Sequence, residues 1–306
     1  MTKINAFLKL IRWGNVLIIA LTQCLFFYCI KLPLYRSNDV AKAEQQFLFL
    51  LAAYACISAA GYIINDYFDL NIDQINKPKR VIINRFISRR WALFLHVGLS
   101  IVGIGLCTKV NIENCLLAFA SVVVLFAYSA TFKKKFLIGN VLVAIYLAWI
   151  VAITAYFDFR GMLLHKIISG NNFDILFNSA LIFVAFSFII NLIREIIKDM
   201  EDVEGDRKYG CKTMPISWGI NPSKVFVAVW LTVLIALLIT VLIYAVRLHW
   251  WWPIVYGLLL VLLPITWIFK QLFSAQTPED FHKLSSAIKW VMLTGVLSMG
   301  LFKLYL

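Results

Sequence analysis

Residues 46–73 read QFLFLLAAYACISAAGYIINDYFDLNID: twenty positions without a charge, from Gln46 to Asn65, and then three aspartates within eight residues. A helix rises 1.5 Å per residue, so about 20 apolar residues cross roughly 30 Å of hydrocarbon. This stretch therefore predicts a membrane span whose acidic end lies at one membrane face. Eight further apolar runs fit the same template, near 14–34, 91–108, 112–131, 137–157, 174–197, 224–246, 250–272 and 286–305. Pro253 and Pro264 fall inside the eighth span in chain order, where a kink is tolerated if neighbouring helices take up the freed carbonyls. The expected fold is all-α, a polytopic bundle of nine transmembrane helices.

Composition agrees with a bilayer protein. Of the 306 residues, 62% are hydrophobic and 15% charged, and the mean hydropathy is +0.83, far from the mixture of a soluble domain. A net charge of +13 would suggest a nucleic-acid partner in a soluble protein. Here topology accounts for it, and no nucleic acid is expected. With nine spans, the N-terminus and every second loop share one side, and these segments hold 21 of the 29 Lys and Arg. Positive charge collects on the cytoplasmic side, so the N-terminus is expected in the cytoplasm. The six cysteines form no CxxC pair and the four histidines are scattered, which leaves no zinc or haem pattern. Lys3, Lys9 and Arg12 precede an apolar run too long for a cleavable signal, so the first span is expected to remain in the mature protein.

Acidic residues are distributed quite differently. Nine of the 16 fall in two windows: Asp66, Asp69 and Asp73 at the end of the second span, and Glu195, Asp199, Glu201, Asp202, Glu204 and Asp206 at the end of the sixth. Both windows are cytoplasmic on the charge count. Carboxylates beside hydrocarbon are costly unless paired or bound to a cation. In the first window, steps of four put Asn65, Asp69 and Asp73 on one helical face; the second places Asp202 and Asp206 four apart, with Asp199 three before Asp202. Like charges so spaced repel and call for a cation. Magnesium suits them, because it binds through one or two carboxylates and keeps its other positions for water and phosphate oxygens. An EF-hand is excluded, since neither window is a 12-residue loop ending in Glu.

Bases stand beside the acids: Lys77 and Arg80 after the first window, Arg194, Lys198 and Lys212 around the second. Each alone reads as membrane anchoring; together they suit a magnesium-bridged diphosphate, whose remaining oxygens pair with guanidinium forks and ammoniums. In the next loop on that side, Tyr128 lies about a turn before Lys133, Lys134 and Lys135. Any of the three lysines would reach the diphosphate if the loop folds over the pocket, and the phenol would face a developing cation.

These residues resemble the UbiA superfamily of intramembrane prenyltransferases, marked by NxxxDxxxD at the end of the second helix and DxxxD at the end of the sixth. Asn65, Asp69 and Asp73 match the first motif, Asp202 and Asp206 the second. The likeness continues through residues 76–80, Gly139-Asn140, residues 194–199 and residues 212–215. It departs at Lys133, five after Tyr128, where the family often has four.

The resemblance implies a single domain over 1–306, with nine helices around a central cavity open to the cytoplasmic side. It also implies Mg2+ as cofactor, an isoprenoid diphosphate donor, a lipid-soluble acceptor and a surround of membrane lipids. Implied catalytic residues are Asp69, Asp73, Tyr128, Lys133, Asp202 and Asp206; implied metal ligands are Asn65, Asp69, Asp73, Asp199, Asp202 and Asp206. Asn65, Lys77, Arg80, Arg194, Lys198 and Lys212 are the implied diphosphate contacts. The wording of both windows is most similar to the digeranylgeranylglyceryl phosphate synthase branch, which implies geranylgeranyl transfer to geranylgeranylglyceryl phosphate. An aromatic acceptor, as in quinone or haem O synthesis, would use the same donor site. The pattern of CDP-alcohol phosphotransferases is absent. A magnesium or isoprenoid-lipid transporter would instead carry its carboxylates near the bilayer midplane.

Overall fold

The computed structural model describes residues 3–35, 40–76, 81–158 and 171–305. A short amphipathic helix, α1 (Lys3–Leu10), precedes the first spans: α2 (Trp13–Leu34), α3 (Val40–Asn76), α4 (Arg89–Cys107), α5 (Ile112–Ala130), α6 (Ile138–Tyr156) and α7 (Asn172–Glu201). Two short helices follow, α8 (Val203–Lys208) and α9 (Met214–Ser217). The chain then crosses three more times, in α10 (Ile220–Arg247), α11 (Trp251–Ser274) and α12 (Pro278–Phe302). Nine helices among the described residues are thus long and apolar enough to span, as the hydropathy pattern predicts.

Helix ends follow local chemistry. Ser88 Oγ accepts from Trp91 N to start α4, Asn111 Oδ1 accepts from Asn114 N to start α5, and Thr277 with Asp280 forms a capping box on α12. The two prolines of α11, Pro253 and Pro264, flank a π turn, Gly257–Leu262, whose widened geometry accommodates the amide that Pro264 lacks.

Small residues bring the helices close. A Cβ on Gly103 of α4 would meet Ile57 Cγ1 at 2.7 Å, and one on Gly61 of α3 would meet Leu125 Cδ1 at 2.8 Å; such gaps in side-chain volume let membrane helices pack backbone to backbone. Three buried clusters result: one around α2, α3 and α6, one around α7, α10, α11 and α12, and a smaller one where α1 packs against α3 and α4. Large apolar side chains such as Ile101, Phe119, Val229 and Trp290 remain exposed on the outside of the bundle, where hydrocarbon is their solvent.

Two features position the site. At 37 residues, α3 is about 55 Å long, far more than roughly 30 Å of hydrocarbon requires, so its last turns project beyond the apolar layer and carry Asp69 and Asp73 there. The opposite end of the bundle is held by a buried ion pair: Lys31 Nζ lies 2.8 Å from Asp158, which also accepts from the Tyr35 hydroxyl.

Candidate active site

The acidic ends of α3 and of α7–α8 meet across a small cavity of about 40 Å³. Asp73 reaches it from α3 and Asp199 from α7, while Asp202 and Asp206 reach it from the segment beyond. Helical spacing alone would put the second window on one face, but α7 ends at Glu201 and Asp202 adopts φ −98°, ψ 8° before α8 begins. This break turns the chain so that all three aspartates face the same space. Asn65 and Asp69 sit behind, both buried, with Asn65 Nδ2 donating to Asp69 Oδ2 at 2.8 Å.

Lys133 is the lysine that enters. Its ammonium contacts Asp69 and lies 3.4 Å from Asn65 Oδ1. Burial pulls this ammonium toward neutrality, but Asp69, Tyr128 and Asp73 outweigh it and hold its pKa well above the ordinary lysine value. It is a fixed positive charge at neutral pH rather than a proton donor. Lys134 and Lys135 are exposed.

Local backbone explains why the spacing from Tyr128 is five. Helix α5 stops at Ala130, Thr131 leaves helical geometry, and a 3₁₀ turn over Phe132–Lys134 carries Lys133 inward. The loop then enters α6 through Leu137 at φ 56°, a strained conformation for a branched residue. Gly139 permits the approach: a Cβ there would stand 2.8 Å from Lys133 Cα and 2.9 Å from the Phe132 carbonyl.

Three further polar side chains line the cavity, beyond those the motifs single out as site residues. Asn140, buried beside Gly139, donates to Asp199 Oδ2 at 2.7 Å. Asn76 closes the two halves on each other, because its Nδ2 donates to the Asp202 carbonyl at 3.1 Å and its Oδ1 accepts from Gly205 N at 2.9 Å. Glu195 forms one wall, pairing with Lys198 at 3.2 Å and with Arg194 at 3.0 Å. Only the first of those two bases, Lys198, also lines the cavity. Lys212 is exposed, though its amide donates to the Lys134 carbonyl at 2.8 Å and so ties the two loops together. Lys77 and Arg80 lie outside the described residues.

Among the described residues, no three His, Cys, Asp or Glu side chains gather closely enough to hold a metal unaided. The donor set is nevertheless carboxylate oxygen from two sides of a cavity with ammoniums at its edge. That arrangement fits magnesium, which takes one or two carboxylates and completes its octahedron with water and phosphate.

Separate apolar cavities lie farther back along α7. A second cavity shares Phe183, Phe186 and Gly295 with a larger one of about 520 Å³ between α7, α10, α11 and α12. Along the helix axis, Phe186 is nine residues, or about 14 Å, from Glu195.

An acidic, lysine-edged cavity at one end of a bundle whose described residues include nine apolar spans is the arrangement that the sequence motifs lead one to expect of an intramembrane prenyltransferase. The chain belongs to the UbiA prenyltransferase family, whose model matches residues 13–293. The digeranylgeranylglyceryl phosphate synthase of Methanosphaera stadtmanae is 30% identical over 246 residues, covering 80% of this chain and 83% of that relative. The fold is similar to a solved structure of a digeranylgeranylglyceryl phosphate synthase, with a TM-score of 0.68, 23% identity and full coverage of both chains. It is also similar to a UbiA homolog from Archaeoglobus fulgidus bound to GPP and Mg2+, with a TM-score of 0.58, 15% identity, and 96% and 99% coverage.

Proposed function

We propose that this enzyme transfers a geranylgeranyl group from its diphosphate to geranylgeranylglyceryl phosphate, forming an ether lipid, in a Mg2+-dependent reaction. The observation that carries this reading is the convergence of two acidic windows, some 130 residues apart in sequence, on one cavity edged by Lys133 and Lys198. The synthase name of the Methanosphaera relative supports the choice of acceptor.

Asp69, Asp73, Asp199, Asp202 and Asp206, with Asn65, are the groups that would hold magnesium. Bound there, the metal supplies positive charge to the leaving diphosphate. Lys133 and Lys198 pair with the remaining phosphate oxygens, and being fixed in place they stabilise charge as it develops, without reorganisation. Tyr128, which lines the same cavity, offers its ring face to the allylic carbon as that carbon becomes cationic. The apolar cavities along α7 take the isoprenoid tail and keep water from the cation, which bulk solvent would quench. The acceptor hydroxyl attacks C1 as the C–O bond to diphosphate breaks, and its proton passes to the departing diphosphate.

The N-terminus and the site lie on the cytoplasmic side in this reading, in agreement with the distribution of Lys and Arg, and one domain spans 1–306. The test supplies purified protein with geranylgeranyl diphosphate, magnesium and a panel of acceptors, and identifies products by mass. Magnesium-dependent ether product is expected, with Asp69→Asn and Asp202→Asn reducing it at least about 100-fold. A prenylated aromatic ring in place of the ether would refute the acceptor; absence of any magnesium-dependent product would refute the transferase reading.

A further inference from the structure

Three cavities lie in order along α7. Glu195, Lys198 and Asp199 line the acidic one. One helical turn back from Glu195, or about 6 Å, Asn191 and Ile190 line a smaller apolar cavity of about 60 Å³ that α2, α6 and α12 also wall. From Phe186 back to Ile175 runs the cavity of about 520 Å³ between α7, α10, α11 and α12, and none of its described lining residues is charged. Phe183, Phe186 and Gly295 line both apolar cavities and so form the partition between them.

Phe186 is the movable part of that partition. A Cβ on Gly295 would stand 2.7 Å from Phe186 Cε1 and 2.8 Å from Cζ, so the ring lies directly on the α12 backbone at a position without a side chain. Phe183 is fixed instead between other rings, with centroids 6.3 Å from Phe26 and 5.6 Å from Phe302. From Phe302 the row continues to Trp250 at 5.3 Å and on to Tyr305 at 5.0 Å. These rings wall the large cavity at its far end, because α12 starts beside the acidic end, where His282 contacts Glu201, and Phe302 lies about 10 Å beyond Gly295.

The spacing of the partition matches an isoprenoid chain. Each isoprene unit puts four carbon–carbon bonds of about 1.5 Å in line and extends roughly 5 Å. Phe186 stands about 14 Å from the level of Glu195, so two units fall short of the ring, three reach it and a fourth has to pass it. We propose that Phe186, seated on Gly295, measures the donor chain: three units of geranylgeranyl diphosphate lie between Glu195 and the ring, and the fourth turns the ring off Gly295 and enters the large cavity. A space of about 520 Å³ is of the size that holds a whole small ligand, so the ring rather than the room behind it sets the length. The inference rests on the proposed function, which places the diphosphate beside Glu195. The acceptor's own hydrocarbon chains are the competing occupants, and the kinetics separate the two.

The experiment uses the full-length protein in lipid nanodiscs with magnesium, the phosphorylated ether-lipid acceptor, and geranyl, farnesyl and geranylgeranyl diphosphates as donors. Each donor is compared between variant and parent, so its partition into lipid cancels. Phe186→Trp thickens the partition and should lower kcat/KM for the geranylgeranyl donor, relative to the geranyl donor, about 10- to 100-fold, with farnesyl between them. Phe186→Leu should shift that ratio the other way. Should the variants not fold, the unaltered protein is crosslinked with a geranylgeranyl diphosphate carrying a diazirine on its last isoprene unit, which should label α10 or α11, helices that line only the large cavity. A ratio that Phe186→Trp leaves unchanged, a rise confined to the acceptor KM, or labelling of α2 and α6 with none on α10 or α11 would each overturn the measuring role. If the unaltered protein makes no product from any donor, the proposed function fails and the inference with it; a role for Phe186 that fails alone leaves that product intact.

Discussion

Adding one methyl group at Gly139 tests how closely catalysis depends on the loop that carries Lys133. The new Cβ would lie 2.8 Å from Lys133 Cα and 2.9 Å from the Phe132 carbonyl, both backbone atoms that no rotamer change can move aside. Comfortable contact begins near 3.5 Å, so the loop must retreat by roughly 0.7 Å and take the ammonium with it. Stability should change little, because alanine gains about 1 kcal/mol over glycine in a helix, which offsets part of the strain. Misplacement of a charged group by about 1 Å can cost on the order of 100-fold in rate. We therefore expect Gly139→Ala to lower kcat/KM for the donor about 10- to 100-fold with a thermal midpoint near that of the parent. Gly98→Ala is the control, since nothing lies within 4 Å of a Cβ there. The assay is initial-rate kinetics beside a melt of the same preparation. A Gly139→Ala enzyme within twofold of the parent would show that the loop's placement is not limiting.

At the clamp between the acidic windows, a Cβ on Gly205 would stand 2.3 Å from Asn76 Oδ1; Gly205→Ala should cut activity about 100-fold. The double variant with Asn76→Ala should recover part of that loss, and strictly additive losses would contradict the contact. Asn140→Ala removes the bond to Asp199 and is expected to weaken magnesium dependence, seen as a several-fold rise in the metal concentration giving half-maximal rate; an unchanged metal titration would deny Asn140 that role. At the far end of the bundle, Asp158→Ala leaves Lys31 buried without its partner and should destabilise by about 3–5 kcal/mol. Adding Lys31→Met should restore most of the loss, and a single variant that melts with the parent would refute the pairing.

The span pattern was legible because hydrocarbon thickness imposes a length that apolar runs must meet, so the ends of α4, α5 and α6 fall within two residues of expectation. Less legible was the reach of α3. Its final turns are polar and carry no hydropathy signal, yet the NxxxDxxxD spacing already indicates a continuing helix. Helical spacing groups Asp199, Asp202 and Asp206, and the structure also brings them to one cavity, but a break at Asp202, rather than an unbroken face, gathers them. Sequence spacing leaves Lys133, Lys134 and Lys135 open, and what decides between them is a 3₁₀ turn and a left-handed leucine, which propensities do not predict. Asn76 acts through two side-chain bonds and Asn140 through one, all to residues far along the chain. Gly205 within an acidic run and Gly139 before an asparagine were the only local hints, each a glycine where another backbone comes close.

The clamp at Asn76 also sets an order in time. Its partner Gly205 lies 129 residues later in the chain, so at synthesis rates of about 5–20 residues per second the first acidic window waits roughly 6 to 25 seconds for the second. Lys133, only 64 residues after Asp69, arrives about halfway through that interval. The nascent chain thus meets the charge of Asp69 with its own ammonium well before the second acidic window has been made.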